Sequence, residues 1–525
     1  MEATNQAPAY PTGATRAILV LTAISCALLE LIDVTVVNVA LREISGNIGA
    51  TITEIAWVVT GYSIANVIMI PLSAMLSDVL GRKVYFTASV ITFTFASFMC
   101  GISSNLWMLV FWRFVQGLGG GGLLSTAQSI IIGAFPPEKI GTATAIFGLG
   151  VILGPTVGPS IGGYITDNLS WHWIFFVNLP IGILASISAW RFVPNLAGRV
   201  KPRKIDWLGI ALLILTIGPL QYVLEEGGSK DWFESAEITW FFALSVASLI
   251  GFIWRELSID YPAVNIKLYR NYNLAMGSFF NLVLGMILFG SVFIFPVFVQ
   301  VSLGWTATQT GVFMIPGALA TAVGMMLIGR FAQGKNPKTF IIAGIFMTFS
   351  FLVMLSFASP DSNARHFYFP FILRGVGMAF MMMPILTLAL GGLQGKDLAQ
   401  ATGLSNMMRQ LGGAVGIALI NIYLNHLNAE ARGALMTNLT AFNDTTTERL
   451  NMMKQAFYSA GYSLNDATDV AYKMLDYSLL RQQQLVSYAH GFLGVGLAVL
   501  ICLPIVFMIR YKKPAKGQKG GFAAH

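Results

Sequence analysis

The sequence predicts an all-α polytopic membrane protein, and three features carry that prediction. The first is composition: the 525 residues are 55% hydrophobic and 11% charged, with a mean hydropathy of +0.68, where soluble domains carry roughly a quarter of their residues as charges. The second is run length, because the apolar stretches reach the roughly 20 residues that cross a bilayer as a helix, and the alternating segments of a β-barrel do not occur. The third is placement, since most charges gather in the short connections between these runs.

Taken in order, hydrophobic windows bounded by charged or Gly/Pro-containing loops give about fourteen spans. They lie near 17–41, 53–76, 84–103, 107–134, 142–166, 172–193, 206–225, 237–257, 271–300, 307–332, 338–358, 367–392, 400–427 and 488–511. The leading "MEATNQAPAYPTGATR" has no basic region or small-residue cleavage site and reads as a short tail. Of the 32 Lys and Arg residues, only Arg42, Lys230 and Arg365 fall in short outer loops if both termini are inside. Arg113, Arg374 and Arg409 lie within spans, and Arg432, Arg449, Lys454, Lys473 and Arg481 lie in one long outer segment, 428–487. The rest fall on the inner side, so the positive-inside rule places both termini there. Within the long segment, "TERLNMMKQAFYSAGY" and "ATDVAYKMLDYSLLRQQQL" have apolar residues at helical spacing, which predicts amphipathic helices.

Weak internal symmetry follows. "SDVLGRK" (77–83) after the second span has a counterpart in "IGRFAQGK" (328–335) after the tenth, and "RFVQG" (113–117) has one in "RGVG" (374–377). Two parallel six-helix bundles with two extra spans between them explain this. The domains are then an N-terminal tail 1–16, a first bundle 17–193, a linker with two extra helices 194–270, a second bundle 271–511 and a basic tail 512–525.

Several residues have no place in a purely structural apolar helix. Glu30 and Asp33 lie three apart in "ALLELIDVTVVNVAL", about 60° apart on a helix, so they face one cavity. Arg113 adds a permanent charge at membrane depth, where burial costs roughly 2.5–3.5 kcal/mol without a partner. The acids and the arginine form either a static salt bridge or a site that loads and releases a proton; burial and a nearby cation push a carboxylate in opposite directions. Arg374 and Arg409 have no acid near them in sequence and are expected to face carbonyls or water near the inner ends of their spans. Asp78, Arg82 and Lys83 sit in a tight inner loop and are expected to latch that side. In "GLGVILGPTVGPSIGG", Gly150, Gly154, Gly158 and Gly162 recur every four residues, a ridge that admits another backbone closely, while Pro155 and Pro159 remove hydrogen bonds and suit a gate or hinge.

Other chemistry is disfavoured. "GLGGGG" (117–122) matches a dinucleotide pattern formally but lies inside a hydrophobic span, with no strand before it and no acid about 20 residues on. No P-loop occurs, so an ion gradient is the expected energy source. Cys26, Cys100, Cys502 and the five histidines are scattered without ligand spacing, so no metal, cofactor or enzyme activity is predicted. The net charge of +8 is dispersed through short loops, which argues against nucleic acid.

These motifs together resemble the major facilitator superfamily, specifically its fourteen-span EmrB/QacA type of drug:proton antiporter. "LIDVTVVNVAL" is similar to the first-span signature through Asp33, Thr35 and Asn38. "PLSAMLSDVLGRKVYF" resembles the loop motif through Asp78, Gly81, Arg82 and Lys83, with Ala74 where a glycine is usual and Val79 where a basic residue is usual. "RFVQGLGGG" matches through Arg113, Gln116 and Gly117, and "LGPTVGPSIGG" resembles the antiporter motif. "WHWIFFVNLPIG" (171–182) and "GLSNMMRQLGGAVGIAL" (403–419) are further signatures, and "KDWFESAEI" (230–238) points to the EmrB side. The similarity covers nearly the whole chain.

The resemblance implies proton-coupled export of hydrophobic compounds by alternating access in a bacterial inner membrane. Asp33, Glu30 and Arg113 are the proton-coupling candidates. Asn38, Gln116, Asn281, Phe289 and Met381 are the candidates for the substrate cavity, since aromatics and flexible Met suit varied apolar ligands. Small hydrophobic molecules, protons and the bilayer are the expected partners. A periplasmic adaptor and an outer-membrane channel are implied where the host envelope has them. The alternatives are a selective exporter of one endogenous amphiphile, such as a lipid, fatty acid or siderophore, and a non-transporting sensor or scaffold.

Overall fold

The computed structural model describes residues 11–136, 139–194, 205–331, 335–359, 362–390, 393, 395–437, 439–440 and 442–509. The tail expected at 512–525, residues 1–10 and the linker stretch 195–204 lie outside the described residues. Those described are helical almost throughout, and no strand occurs among them.

Apolar runs become helices because a bilayer offers no other partner for backbone N–H and C=O groups. The first, α1 (Gly13–Ile48), ends at Gly49, whose φ of +73° suits a residue without Cβ. A capping box formed by Thr51 and Glu54 starts the short α2 (Ile52–Ile55). Between α3 (Trp57–Leu80) and α4 (Arg82–Gly101) the chain reverses over Gly81 alone, at φ +88°, a conformation that side chains strain to adopt. The predicted span 107–134 is two helices: α5 (Leu106–Gly120), capped by Asn105, and α6 (Leu123–Gly133). The interruption falls at Gly121 and Gly122. There a Cβ on Gly121 would collide with the backbone of Asn66, and one on Gly122 with the Tyr85 hydroxyl, so the glycines serve close packing on α3 and α4.

The chain continues through α7 (Ile140–Asn168), α8 (Trp173–Phe176), α9 (Asn178–Phe192), α10 (Trp207–Glu226) and α11 (Ala236–Ser258). It then forms α12 (Tyr272–Ser302), α13 (Ala307–Phe331), α14 (Pro337–Ser356), α15 (Ala364–Leu390) and α16 (Gly395–Met436). It closes with α17 (Asp444–Ser459), α18 (Leu464–Leu500) and α19 (Leu503–Val506). Twelve helices among the described residues are long and apolar enough to cross a membrane. The two remaining predicted spans are also helical, one as α5 with α6 and the other as the glycine-rich α7.

Helices α1 to α9 pack on one another, as do α12 to α18, while α10 and α11 pair and α10 leans on α3. The two groups meet chiefly where α7 lies along α13 and where α3 and α6 meet α16. Helices α16 and α18 have 42 and 37 residues, roughly 63 and 55 Å at 1.5 Å per residue. A hydrocarbon core is only about 30 Å thick, so both extend beyond it. The segment expected at 428–487 is therefore largely helical, built from these extensions with α17 packed on α18.

Candidate functional site

The charged residues of α1 are deeply buried, Asp33 at 1% exposure and Glu30 at 4%, and each has its own set of partners. Asp33 sits inside the first bundle. Its Oδ2 accepts from Arg113 Nη1 at 2.5 Å, and its Oδ1 accepts from Gln116 Nε2 and Asn178 Nδ2, both at 2.9 Å. Arg113 and Gln116 are three residues apart on α5 and share a face, so Arg113 Nη1 also reaches Gln116 Oε1 at 2.9 Å. The Arg113 Nε donates to the Val58 carbonyl at 3.3 Å, and the guanidinium lies 4.1 Å from the Tyr62 ring centroid. Three donors on one carboxylate offset the desolvation that an isolated buried ion would suffer.

Asn178 opens α9 from within the "WHWIFFVNLPIG" signature, and its amide also donates to Ser97 Oγ at 3.1 Å. The following Pro180 occupies the first turn of α9, where a missing N–H costs nothing. The polar contribution of this motif is not legible in the sequence, because the partner carboxylate lies 145 residues away.

Glu30 sits at the seam between the bundles. Its Oε1 accepts from Asn66 Nδ2 at 3.0 Å and its Oε2 from the Leu124 backbone N–H at 2.9 Å. Leu124 is in the first turn of α6, so the glycine break at 121–122 creates a helix N-terminus with unmet donors at membrane depth, and Glu30 meets one of them. Across the seam, Arg409 of α16 interacts electrostatically with Glu30. Beside it, Asn406 Nδ2 donates to Gln128 Oε1 at 2.8 Å and to Ser125 Oγ at 3.2 Å, bonding α16 to α6. Tyr62 and Asn66, one turn apart on α3, join the two carboxylate systems: the Tyr62 ring underlies Arg113 and its hydroxyl accepts from Asn66 Nδ2 at 3.4 Å.

Arg374 and Arg409 depart from expectation. Both are buried; Arg374 Nε donates to Ser291 Oγ at 3.2 Å within the second bundle, and Arg409 lies near the acid of the first. The acid near Arg409 comes from a helix almost 400 residues earlier, which proximity in the chain does not reveal.

The cavity candidates do not assemble into one wall. Gln116 is fully buried in the Asp33 cluster, and Asn38 is exposed on α1. Asn281 Nδ2 donates to Ser405 Oγ at 2.7 Å, tying α12 to α16, and Phe289 packs where Gly413 of α16 leaves room. Met381 is buried on α15. Three of the five thus belong to the second bundle, and polar or apolar character alone does not tell a cavity wall from a helix seam.

The motif residues behave as packing elements. Arg82 Nη2 donates to Ser129 Oγ of α6 at 3.3 Å, and Asp78 is its electrostatic neighbour. The ridge of α7 seats against α1: a Cβ on Gly154 would meet Leu31, one on Gly158 would meet Thr35, and one on Gly162 would come within 3.1 Å of the Val36 backbone. The ridge thus faces the helix that carries both acids, while Gly148 on another part of α7 faces Met325 of α13. Pro159 and the backbone of Pro155 lie within this one continuous helix.

The family model described as Major Facilitator Superfamily matches residues 23–417. The chain is 31% identical to the multidrug export protein EmrB of Escherichia coli (strain K12) over 501 residues, 94% of each protein. It is 30% identical to the fatty acid resistance protein FarB of Neisseria gonorrhoeae, over 94% of this chain and 95% of that one. Among solved structures, the human organic anion transporter MFSD10 (TETRAN) superposes with a TM-score of 0.56 at 12% identity, covering 92% of this chain and 99% of its own. A bacterial homologue of the human lysosomal transporter Spinster, inward-facing and unoccupied, gives 0.53 at 15% identity, covering 95% and 98%. At these identities the two structures speak for the fold.

Proposed function

This chain belongs to the major facilitator superfamily, and we propose that it is a proton-coupled antiporter that exports hydrophobic compounds by alternating access of its two bundles. The similarity to EmrB proteins supports multidrug efflux as the activity, and that to FarB keeps export of a single class of amphiphile as the second reading. The observation that supports the coupling mechanism is the position of Glu30, bonded to Asn66 and to the N-terminus of α6 in one bundle and an electrostatic neighbour of Arg409 in the other.

In this mechanism Asp33 and Glu30 divide the work. Protonation of Glu30 removes the charge that draws Arg409 and weakens the acceptor for the Leu124 N–H, so the α6–α16 seam loosens. Asp33 exchanges its proton with Arg113 still nearby, and the Tyr62–Asn66 turn of α3 transmits the change between the two acids. Substrate leaves as the seam reopens on the other face. Both termini lie on the cytoplasmic side of the bacterial inner membrane, which puts α17 and the protruding parts of α16 and α18 outside. An adaptor protein and outer-membrane channel would meet the carrier there.

The test uses liposomes containing only this protein, with dye efflux driven by an imposed pH gradient. Asp33→Asn and Glu30→Gln are each expected to abolish gradient-driven efflux, and a protonophore to abolish that of the unaltered protein. Undiminished efflux by either variant removes that acid from the mechanism, and flux insensitive to the protonophore overturns proton coupling.

A further inference from the structure

Beyond the bundles, the extensions of α16 and α18 close around a cavity of about 470 Å³, within the range of small-molecule sites. It lies where α12 ends, with α17 across it, well away from Glu30 and Asp33 in the fold. Its lining mixes leucines, arginines and uncharged polar residues, Thr445, Ser478 and Gln482 among them. Leu435, Leu475, Leu479 and Leu485 form an apolar side. Arg449 of α17 and Arg481 of α18 contribute two guanidinium groups.

The charges are not used up by neighbouring acids. Among the described residues, neither Arg449 nor Arg481 forms an ion pair, and Asp476 on the same helix as Arg481 is engaged by Arg432 at 3.0 Å. Arg481 is positioned by one bond only: its Nε donates to the carbonyl of Ser302, the last residue of α12, at 2.9 Å. That contact places a cation at the negative end of the α12 dipole, and Arg481, like Arg449, is a solvent-exposed residue at the edge of the cavity. A second, independent feature points the same way. Ser302 is among the residues around the cavity; its side chain is fully buried, and its hydroxyl has no hydrogen-bond partner among the described residues. A buried hydroxyl without a partner is costly, and an acceptor in the cavity would satisfy it.

We propose that this cavity is a binding site for a single-chain anionic amphiphile of the fatty-acid class. The carboxylate lies between Arg449, Arg481 and the Ser302 hydroxyl, and the acyl chain lies along the leucine side. Planar guanidinium groups match a carboxylate's geometry, and burying the chain's CH₂ groups away from water favours binding. The lining includes neither Glu30 nor Asp33, and occupancy of the site is measurable without transport.

The experiment is calorimetric titration of laurate into the purified full-length protein in neutral detergent, compared with dodecanol, which has the same chain and no charge. Saturable binding of one laurate is expected, with dodecanol at least tenfold weaker. Arg449→Gln, together with Arg481→Gln, should weaken laurate at least tenfold. Leu479→Trp should block it by filling the cavity while leaving both arginines; each variant's thermal midpoint reports its folding. Equal binding of laurate and dodecanol, or undiminished laurate binding by the folded arginine or tryptophan variants, overturns the proposal. Phosphatidylglycerol added to the micelles distinguishes the other source of an anionic head: if it displaces laurate at lower concentration than laurate itself binds, the occupant is a bilayer lipid and the fatty-acid assignment fails.

Discussion

Asp33 and Arg113 illustrate what a buried charge costs once its partner is taken away. With the carboxylate neutralised as Asp33→Asn, the guanidinium stays in the apolar interior without a counter-charge, a loss of about 3–5 kcal/mol in comparable buried pairs. A lower thermal midpoint is expected for Asp33→Asn and for Arg113→Gln separately. The double variant should recover part of that loss, because it buries no charge; strictly additive losses would show that the pair is not energetically coupled. Glu30→Gln is a different case. Its amide oxygen still accepts from Leu124, so folding should persist while the pull on Arg409 disappears. Arg409→Gln is therefore expected to reproduce the coupling defect of Glu30→Gln, read as loss of gradient-driven dye efflux with a near-normal midpoint; retained coupling would detach Arg409 from the mechanism.

At the level of helices, the ridge on α7 fixes how closely α1 approaches. A methyl group at Gly158 meets the Thr35 hydroxyl and lies 3.3 Å from the Ile32 carbonyl, and neither belongs to a flexible chain end. Gly158→Ala is expected to destabilise by about 1–3 kcal/mol through overpacking and to slow efflux, since Asp33 lies on the displaced turn of α1. Gly228→Ala, where nothing lies within 4 Å, is the matched control and should change neither. Thermal midpoints and initial efflux rates of the two variants decide the point. The break between α5 and α6 follows the same logic, because glycines chosen for close packing on α3 and α4 also open a helix end that Glu30 then caps.

For the whole molecule, alternating access requires the α3–α16 contact to part and re-form. Gly403 of α16 and Ala74 of α3 approach so closely that a Cβ at Gly403 would lie 3.9 Å from that of Ala74, within the usual Cβ separation of a disulfide, about 3.5–4.5 Å. Ala74 is also the position where the family resemblance leads one to expect glycine. In a variant with Cys26, Cys100 and Cys502 replaced by Ser, the pair Ala74→Cys and Gly403→Cys is expected to cross-link on oxidation and arrest efflux, and a reductant to restore it. Full efflux by protein shown by mass spectrometry to be cross-linked would mean that the bundles do not separate at this contact.

Residue types and their spacing were enough to read the helical membrane fold, the positions of its spans and the acids and arginine out of place within them. Those properties are local: a run of apolar residues has one stable backbone arrangement in lipid, and a charge within it stands out wherever the helix packs. Packing decided the rest. It divided Glu30 from Asp33, giving one to the seam and the other to the interior of a bundle, although they are only three residues apart. It brought Asn178 and Arg409 to those acids from remote helices, placed Gln116 in the Asp33 cluster, and split the expected span 107–134 into two helices. Such outcomes depend on which faces of distant helices meet, and a hydrophobic pattern along one helix carries no record of its neighbour's register.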